Sequence, residues 1–236
     1  MDLSIIIPTL NESAYIQRTL SSIRSRASGR FSYEIIIVDA GSTDDTKSIA
    51  ARLVDVFYED AHLAGAKYKS LNKGAAMAKG DDLLFLDADT LLPLAFDLHI
   101  KQVLEDSKIV GGAFEFQMDG QRRIYRIIEW INRMRYRIDQ RYFGDQGIFC
   151  RRADFWQLGG YPPEPIMEAA YFCKRMSQQG RLALVKSPIL TAARRFEAGQ
   201  VFRVFFKDTW IWIQFTLGLD VKKYASAYWQ ENKNRG

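Results

Sequence analysis

Only two cysteines, Cys150 and Cys173, and two histidines, His62 and His99, occur in the 236 residues. Two cysteines make no disulfide framework, and they stand too isolated for a zinc site. Both are read as small core residues, and both histidines as structural or exposed. No apolar run reaches the roughly 18–20 uncharged residues that a membrane span needs. The nearest, Val201 to Leu219, is broken by Arg203, Lys207 and Asp208. No positively charged leader precedes the strand-like LSIIIP at the start, so no export signal is expected. The implied location is cytoplasmic, with contact at the inner face of the plasma membrane left open.

What is present is enough apolar residue for a real core: 47% hydrophobic against 26% charged, which excludes a disordered chain. The length fits one large α/β domain or two small ones. A net charge of +5 and a pI near 9.1 suggest an anionic partner of some kind. Residues 1–119 carry 12 basic and 18 acidic side chains, and residues 120–236 carry 21 and 10. The halves are therefore −6 and +11, which predicts two different surfaces.

Apolar runs at Leu3–Ile7, Tyr33–Val38, Val54–Tyr58 and Asp82–Leu86 read as buried strands, each followed by a polar loop. Between them, spacing predicts helices after Asn11 or Ser13 (either a candidate cap), after Thr43 to about Leu53, and over Asn72–Lys79. Alternating strands and helices imply βαβ units and a parallel sheet, with ligands at the strand ends. Further on, a helix follows Pro93 to about Glu105, and Val110–Met118 reads as a strand. Ile124–Arg141 reads as an amphipathic helix with apolar residues on one side and arginines on the other. Asp145–Arg151 reads as a strand or loop. Short helices over Ala153–Leu158 and Met167–Gln179 and a last strand at Leu182–Val185 complete the pattern.

Asp87-Ala88-Asp89, directly after a strand, gives a hard, doubly anionic oxygen site. Such a pair suits Mg²⁺ or Mn²⁺ bound to a diphosphate, because phosphates supply the remaining ligands. Alone, the tripeptide is as consistent with an acidic turn. Its setting is more specific. Ile5–Pro8 leads into Thr9-Leu10-Asn11-Glu12. Ile35–Val38 leads into Asp39-Ala40-Gly41-Ser42-Thr43-Asp44-Asp45-Thr46. In order and spacing, P-T-x-N-E, D-x-G-S-x-D-x-T and D-A-D at three strand ends resemble the family 2 inverting glycosyltransferases of GT-A fold. Phe143–Phe149, Gly159-Gly160-Tyr161, Ile166-Met167-Glu168 and Arg194-Arg195-Phe196 extend the resemblance over residues 3–200, to the small branch without a long transmembrane tail.

That resemblance implies an α/β, GT-A (Rossmann-like) domain over 1–200, with a mainly parallel sheet flanked by helices. A helical extension would follow over 201–236. It implies transfer of a sugar, with inversion, from a nucleoside diphosphate sugar, UDP preferred, using Mn²⁺ or Mg²⁺. Pro8, Thr9 and Glu12 would border the nucleotide, and Asp39 would read the base. Asp87 would sit near ribose and metal, and Asp89 would ligate the metal. Among Lys67, Lys69 and Lys73, Lys73 is favoured near phosphate. Arg194 and Arg195 would neutralise the leaving group, a role also open to Arg151 and Arg152. Ser42 and Thr43 are read as helix caps, and Asp145 as an acceptor-side residue.

One position departs from the family. A Glu-Asp pair is expected at a helix start, its Asp the general base, and here the pair is Glu168-Ala169. Glu168 could serve instead, the acceptor could be already ionised like a lipid phosphate, or the chain could be impaired and bind nucleotide sugars without turnover. A nucleotidyltransferase is the other enzyme class with such a sheet, but it should carry a Gly-rich phosphate loop where this chain has P-T-L-N-E. The aromatic stretch Val201–Trp229, with Arg203 and Lys207, reads either as a helix packed on the core or as a membrane-interface segment resting on Trp210 and Trp212. The acceptor itself, lipid-linked or not, is unnamed by these residues, and nucleic acid is the least expected partner.

Overall fold

The computed structural model describes residues 1–138, 141–194 and 201–226, with backbone alone at 137, 138 and 202. In chain order the elements are β1 (Leu3–Thr9), α1 (Ile16–Arg26), β2 (Tyr33–Asp39), α2 (Thr46–Ala50), β3 (Val56–Glu59), α3 (Lys67–Met77), β4 (Asp82–Phe85), β5 (Thr90–Leu91) and α4 (Phe96–Leu104). Then come β6 (Ile109–Asp119), α5 (Arg123–Ile138), β7 (Ile148–Arg151), α6 (Arg152–Gln157), α7 (Glu168–Met176), β8 (Arg181–Ala192) and α8 (Val201–Thr216). The strands form one sheet in the order β3-β2-β1-β4-β7-β6-β8-β5. β1, β2, β3 and β4 run parallel to one another, as β6 does to β8, while β7 is antiparallel to β4 and β6 and β5 to β8. The sheet is thus mixed, with its parallel part where the first four strand ends lie.

The unbroken apolar runs follow from burial on both faces. Ile5, Ile7, Ile35, Ile37 and Leu84 pack on one side with Ile16 and Leu20 of α1 and with Phe96 and Ile100 of α4. Ile6, Ile36, Val38, Leu83 and Phe85 pack on the other with Leu71 and Ala75 of α3 and with Phe155 and Phe172. Side chains alternate across a strand, so a run with no polar face needs a helical layer on each side. Where the strands begin, a buried polar knot ties them. Ser4 Oγ donates to Glu34 Oε1 at 2.6 Å and accepts from Gly80 N at 2.8 Å, and Lys79 N donates to the same Glu34 oxygen at 2.6 Å.

Several local expectations change. The third helix spans Lys67–Met77, one and a half turns earlier than Asn72–Lys79. The last strand is Arg181–Ala192, because β6 pairs along nearly its whole length and carries it past Pro188. The two-residue β5 was not anticipated; it is too short to show a period. Neither Asn11 nor Ser13 caps α1, whose cap position is Tyr15 with no side-chain bond. α5 does not segregate apolar from basic residues: Ile127, Trp130 and Met134 are exposed beside Arg123, Arg126 and Arg133. Among the described residues no helix is long and apolar enough to cross a membrane.

Gly80 is required by close approach. A Cβ there would lie 2.5 Å from Ser4 N and 2.6 Å from the Leu3 carbonyl carbon, backbone atoms that cannot swing aside. Gly80→Ala is expected to destabilise the fold by about 1–3 kcal/mol, the usual range for overpacking. Urea unfolding would read this as a lower midpoint at unchanged slope; an unchanged midpoint would refute it.

Candidate active site

Two strand-end loops are laced together before any ligand is considered. Asn11, in the left-handed region at φ 56°, accepts from Thr43 N through Oδ1 at 2.8 Å, and its own N–H donates to Ser42 Oγ at 2.8 Å. Glu12 N donates to Thr46 Oγ1 at 2.8 Å and Ser13 N to Asp44 Oδ2 at 3.0 Å. Burial pushes the Asp44 carboxyl up, but hydrogen bonds from Thr46 and Ser13 outweigh it and hold it at about 2. Ser42 therefore ties loop to loop, and Thr43 bonds Asn11; neither caps α2, whose cap position is Asp45.

Asp39 is the hub of this lacing. Thr9 and Asp39 end paired strands in register, and Thr9 Oγ1 donates to Asp39 Oδ2 at 2.7 Å. Ser42 Oγ donates to the same oxygen at 2.6 Å, while Oδ1 accepts from Gly41 N and Ser42 N at 3.0 and 2.7 Å. Four donors fill the four lone-pair sites of a carboxylate. Pro8 lies one residue back in β1, part-exposed beside this hub.

The acidic residues converge next to it. Arg194, two residues past β8, bonds Glu12 Oε1 at 2.7 Å, reaches Asp89 Oδ2 at 3.2 Å and lies 5.0 Å over the Tyr15 ring. Lys67, at the start of α3, pairs with Asp87 Oδ1 at 2.6 Å. Burial pushes the Glu12 and Asp89 carboxyls up, and Arg194 pulls both back. Among the described residues Glu12 Oε2 is buried without a hydrogen-bond partner, which is a costly state for a carboxylate oxygen.

The segment before β7 closes the other wall. A Cβ on Gly144 would fall 2.9 Å from Lys67 Nζ and 3.8 Å from Asp87 Oδ1, so this segment runs directly beside the Lys67–Asp87 pair. Asp145 follows, its carbonyl accepting from Thr191 Oγ1 at 3.0 Å. Behind it stands α7, entered through Met167 at φ 61°. Glu168 is its first residue and is buried; desolvation pushes its carboxyl up, the Lys67 ammonium pulls it back and Asp87 adds to the rise. Ala169 is 3% exposed and packs in the same apolar cluster as Tyr161 and Phe172.

The structure thus brings together Thr9, Glu12, Asp39, Asp87, Asp89, Asp145, Glu168 and Arg194. It does not bring Lys73, whose ammonium sits 4.5 Å over the Tyr58 ring; Lys67 stands on the acidic pair instead. The helical register decided this, since α3 begins at Lys67 and points that side chain across to Asp87. Arg151 pairs across the sheet with Asp82, at the opposite end of β4 from Asp87, and its guanidinium holds the Ile109 and Leu104 carbonyls. Arg152 starts α6 beside it, so neither arginine is near the acidic cluster. His62 is exposed, and His99 Nε2 lies 3.2 Å from Ser187 Oγ. Arg195 falls outside the described residues.

Among the described residues no three or more His, Cys, Asp or Glu side chains form a metal cage. Asp87 and Asp89 are a two-carboxylate set. Such a set suits a divalent ion whose other ligands are phosphate oxygens and water.

Known proteins bear on this geometry. At the level of the fold, the chain superposes on the mannosyltransferase PcManGT from Pyrobaculum calidifontis, solved in complex with GDP-Man and Mn²⁺, with a TM-score of 0.69. Identity is 20%, covering 89% of this chain and 61% of that one. It also superposes on glucosyl-3-phosphoglycerate synthase from Mycobacterium tuberculosis, solved with Mn²⁺ and UDP-glucose, with a TM-score of 0.63 and 20% identity over 93% of this chain and 80% of that one. In sequence it is 31% identical over 173 residues to a PGL/p-HBAD biosynthesis glycosyltransferase of Mycobacterium bovis (strain BCG), covering 67% of this chain and 62% of the relative. It spans less than two thirds of that relative's length. The family description "Glycosyl transferase family 2" matches residues 4–157, which include both laced loops and both carboxylates of the Asp87–Asp89 pair. The chain is a member of glycosyltransferase family 2, on a GT-A fold.

Proposed function

We propose that this protein transfers a sugar, with inversion, from a nucleoside diphosphate sugar, UDP-linked by preference, to an acceptor whose class these residues leave unnamed, a lipid or lipid phosphate being one candidate. The observation that carries the reading is the convergence of Asp87 and Asp89 with the cations Lys67 and Arg194 at the strand ends. Structures of similar fold solved with GDP-Man, UDP or UDP-glucose support the donor class. Pro8, Thr9, Glu12 and Asp39 border the nucleotide, and the four-donor lock on Asp39 keeps that shelf rigid. Asp87 and Asp89 would hold Mn²⁺ or Mg²⁺, which when bound would supply Lewis-acid stabilisation of diphosphate charge.

In the reaction the acceptor oxygen forms a bond to the anomeric carbon while the bond from that carbon to the diphosphate oxygen breaks. The electron pair leaves on the diphosphate, and Arg194 and Lys67, turned from their carboxylates to phosphate oxygens, stabilise the charge that develops. Arg195 is assigned the same role on the grounds of its motif. When the acceptor is a hydroxyl, its proton passes to Glu168, which burial makes a better base than an ordinary glutamate. Asp145 borders the acceptor. An already ionised acceptor needs no base, and then Glu168 only positions Lys67. The impaired reading rests on Ala169, whose methyl is packed among apolar side chains. The nucleotidyltransferase reading has no phosphate loop to support it and yields to family membership.

Calorimetry with UDP and GDP, with and without Mn²⁺, tests the donor. UDP is expected to bind more tightly with Mn²⁺, and Asp89→Asn to remove that dependence; binding indifferent to Mn²⁺ would refute the metal role. For the base, Glu168→Gln is expected to keep UDP affinity while transfer falls about 10²–10⁴-fold. In the native enzyme the acid limb of the rate should lie above the ordinary glutamate range, because activity needs the ionised form that burial disfavours. Ala169→Asp is expected to leave the rate unchanged; a rise of tenfold or more would favour the impaired reading over Glu168.

A further inference from the structure

The outer face of α5 is built unlike that of an ordinary surface helix. Positions 123, 126, 127, 130, 133 and 134 recur at helical spacing and are all exposed. They carry Arg123, Arg126, Ile127, Trp130, Arg133 and Met134, with no acidic residue among them. Ile127 is 54% exposed and Trp130 60%. The one acid of the helix, Glu129, is turned inward, 2% exposed, where it accepts from Met118 N at 2.9 Å and pairs with Arg126. Arg133 pairs with Glu115, which likewise lies deeper than the arginine it meets. The helix is therefore held by its polar and aromatic inner side while isoleucine, tryptophan and guanidinium groups face out.

The neighbouring α8 repeats the arrangement. Phe206 is 65% exposed and Trp210 57%, one turn apart, with Arg203 a turn before them and Leu217 following. Trp212, by contrast, is half-buried. The Arg135 guanidinium lies over its ring and over those of Tyr136 and Phe143, at 5.8, 5.0 and 4.2 Å from the ring centres, and so joins α8 to α5. Seven of the ten large hydrophobic residues found exposed lie on these two helices or the turn after α8. The apolar surface is concentrated there, and contiguous exposed apolar surface marks an interaction site.

We propose that the outer face of α5 docks on an anionic lipid surface, with the exposed stripe of α8 as a secondary contact. Aromatic and aliphatic side chains would enter the headgroup boundary while the arginines meet lipid phosphates and carboxylates, as interfacial helices do. Charge decides against a second copy of the chain. A two-fold dimer places the same patch on itself, which would set arginine against arginine with no exposed acid on the stripe to meet it. An anionic bilayer has no such conflict, and residues 120–236 carry the net +11 that favours it.

Flotation of the full chain with vesicles of 30% phosphatidylserine in phosphatidylcholine, against pure phosphatidylcholine, tests this with no donor or metal present. Its outcome is therefore independent of the catalytic reading. The chain is expected to float with the anionic vesicles, less at 0.5 M salt, and poorly with neutral ones. Ile127→Ser with Trp130→Ser should raise the lipid needed for half-binding about tenfold or more, with UDP affinity and thermal midpoint unchanged. Phe206→Ser with Trp210→Ser should weaken binding less, and Trp212 should not be used because it packs on Arg135. Failure of the chain to float, or full flotation of the Ile127/Trp130 variant, overturns the proposal. So does a dimer in light scattering that only the Ile127/Trp130 variant loses.

Discussion

Buried like charge is the constraint on which the site depends. Glu12, Asp87, Asp89 and Glu168 are drawn from three separate segments into one region, and burial pushes three of these carboxyls, Glu12, Asp89 and Glu168, upward. Such a group is tolerable only with cations beside it. Lys67 on Asp87 and Arg194 across Glu12 and Asp89 provide them. The same two cations are the ones a diphosphate would attract, so compensation of the buried carboxylates and the proposed recognition of the donor would use one set of side chains. The orphaned Glu12 Oε2 marks the place where compensation is incomplete.

Rigidity around that cluster comes from hydrogen bonds between loops. Asp39 accepts four of them, and Asn11 adopts a left-handed conformation to accept a fifth link from Thr43. The strands supply two covered faces and fixed ends, and the loops are then spliced by side chains rather than by backbone pairing. At the far end of the same strands, the Ser4–Glu34–Gly80 knot does the corresponding work without any functional residue. A parallel sheet bound at both ends leaves the ligand-side loops little freedom, which is what preorganisation of charge demands.

Ala169, where the resemblance led to an expected aspartate, is a local departure. The methyl packs into the apolar layer, while Glu168, one residue earlier, is electrostatically coupled to Lys67 and Asp87. Successive residues of a helix point about 100° apart, so a carboxylate moved by one position does not inherit its neighbour's direction. The exposed α5–α8 surface lies outside this chemistry, while the inner side of α8 packs Ile211 and Phe215 against Ala170 and Tyr171 of α7.

Much of this was legible in the chain itself. Unbroken runs such as Ile35–Val38 announce strands covered on both faces, and acidic strand ends such as Asp39 and Asp87–Asp89 announce where a ligand belongs, because backbone periodicity and charge are properties of neighbouring residues. The charge split between halves was likewise visible as composition. What composition and spacing do not carry is which of several equivalent side chains meets which. Lys67, Lys69 and Lys73 are alike in sequence, and only the start and packing of α3 put Lys67 on Asp87 and Lys73 on Tyr58. Arg151 looked as available as Arg194, yet antiparallel pairing with Asp82 took it to the other end of the sheet. In α5 a helix was legible but the face it buries was not: Glu129 turned inward to bond β6 and left Trp130 outside. Local pattern thus determined the strands, the acidic ends and the family, while tertiary packing decided the pairings, because long-range contacts depend on register and on the competing burial of other residues.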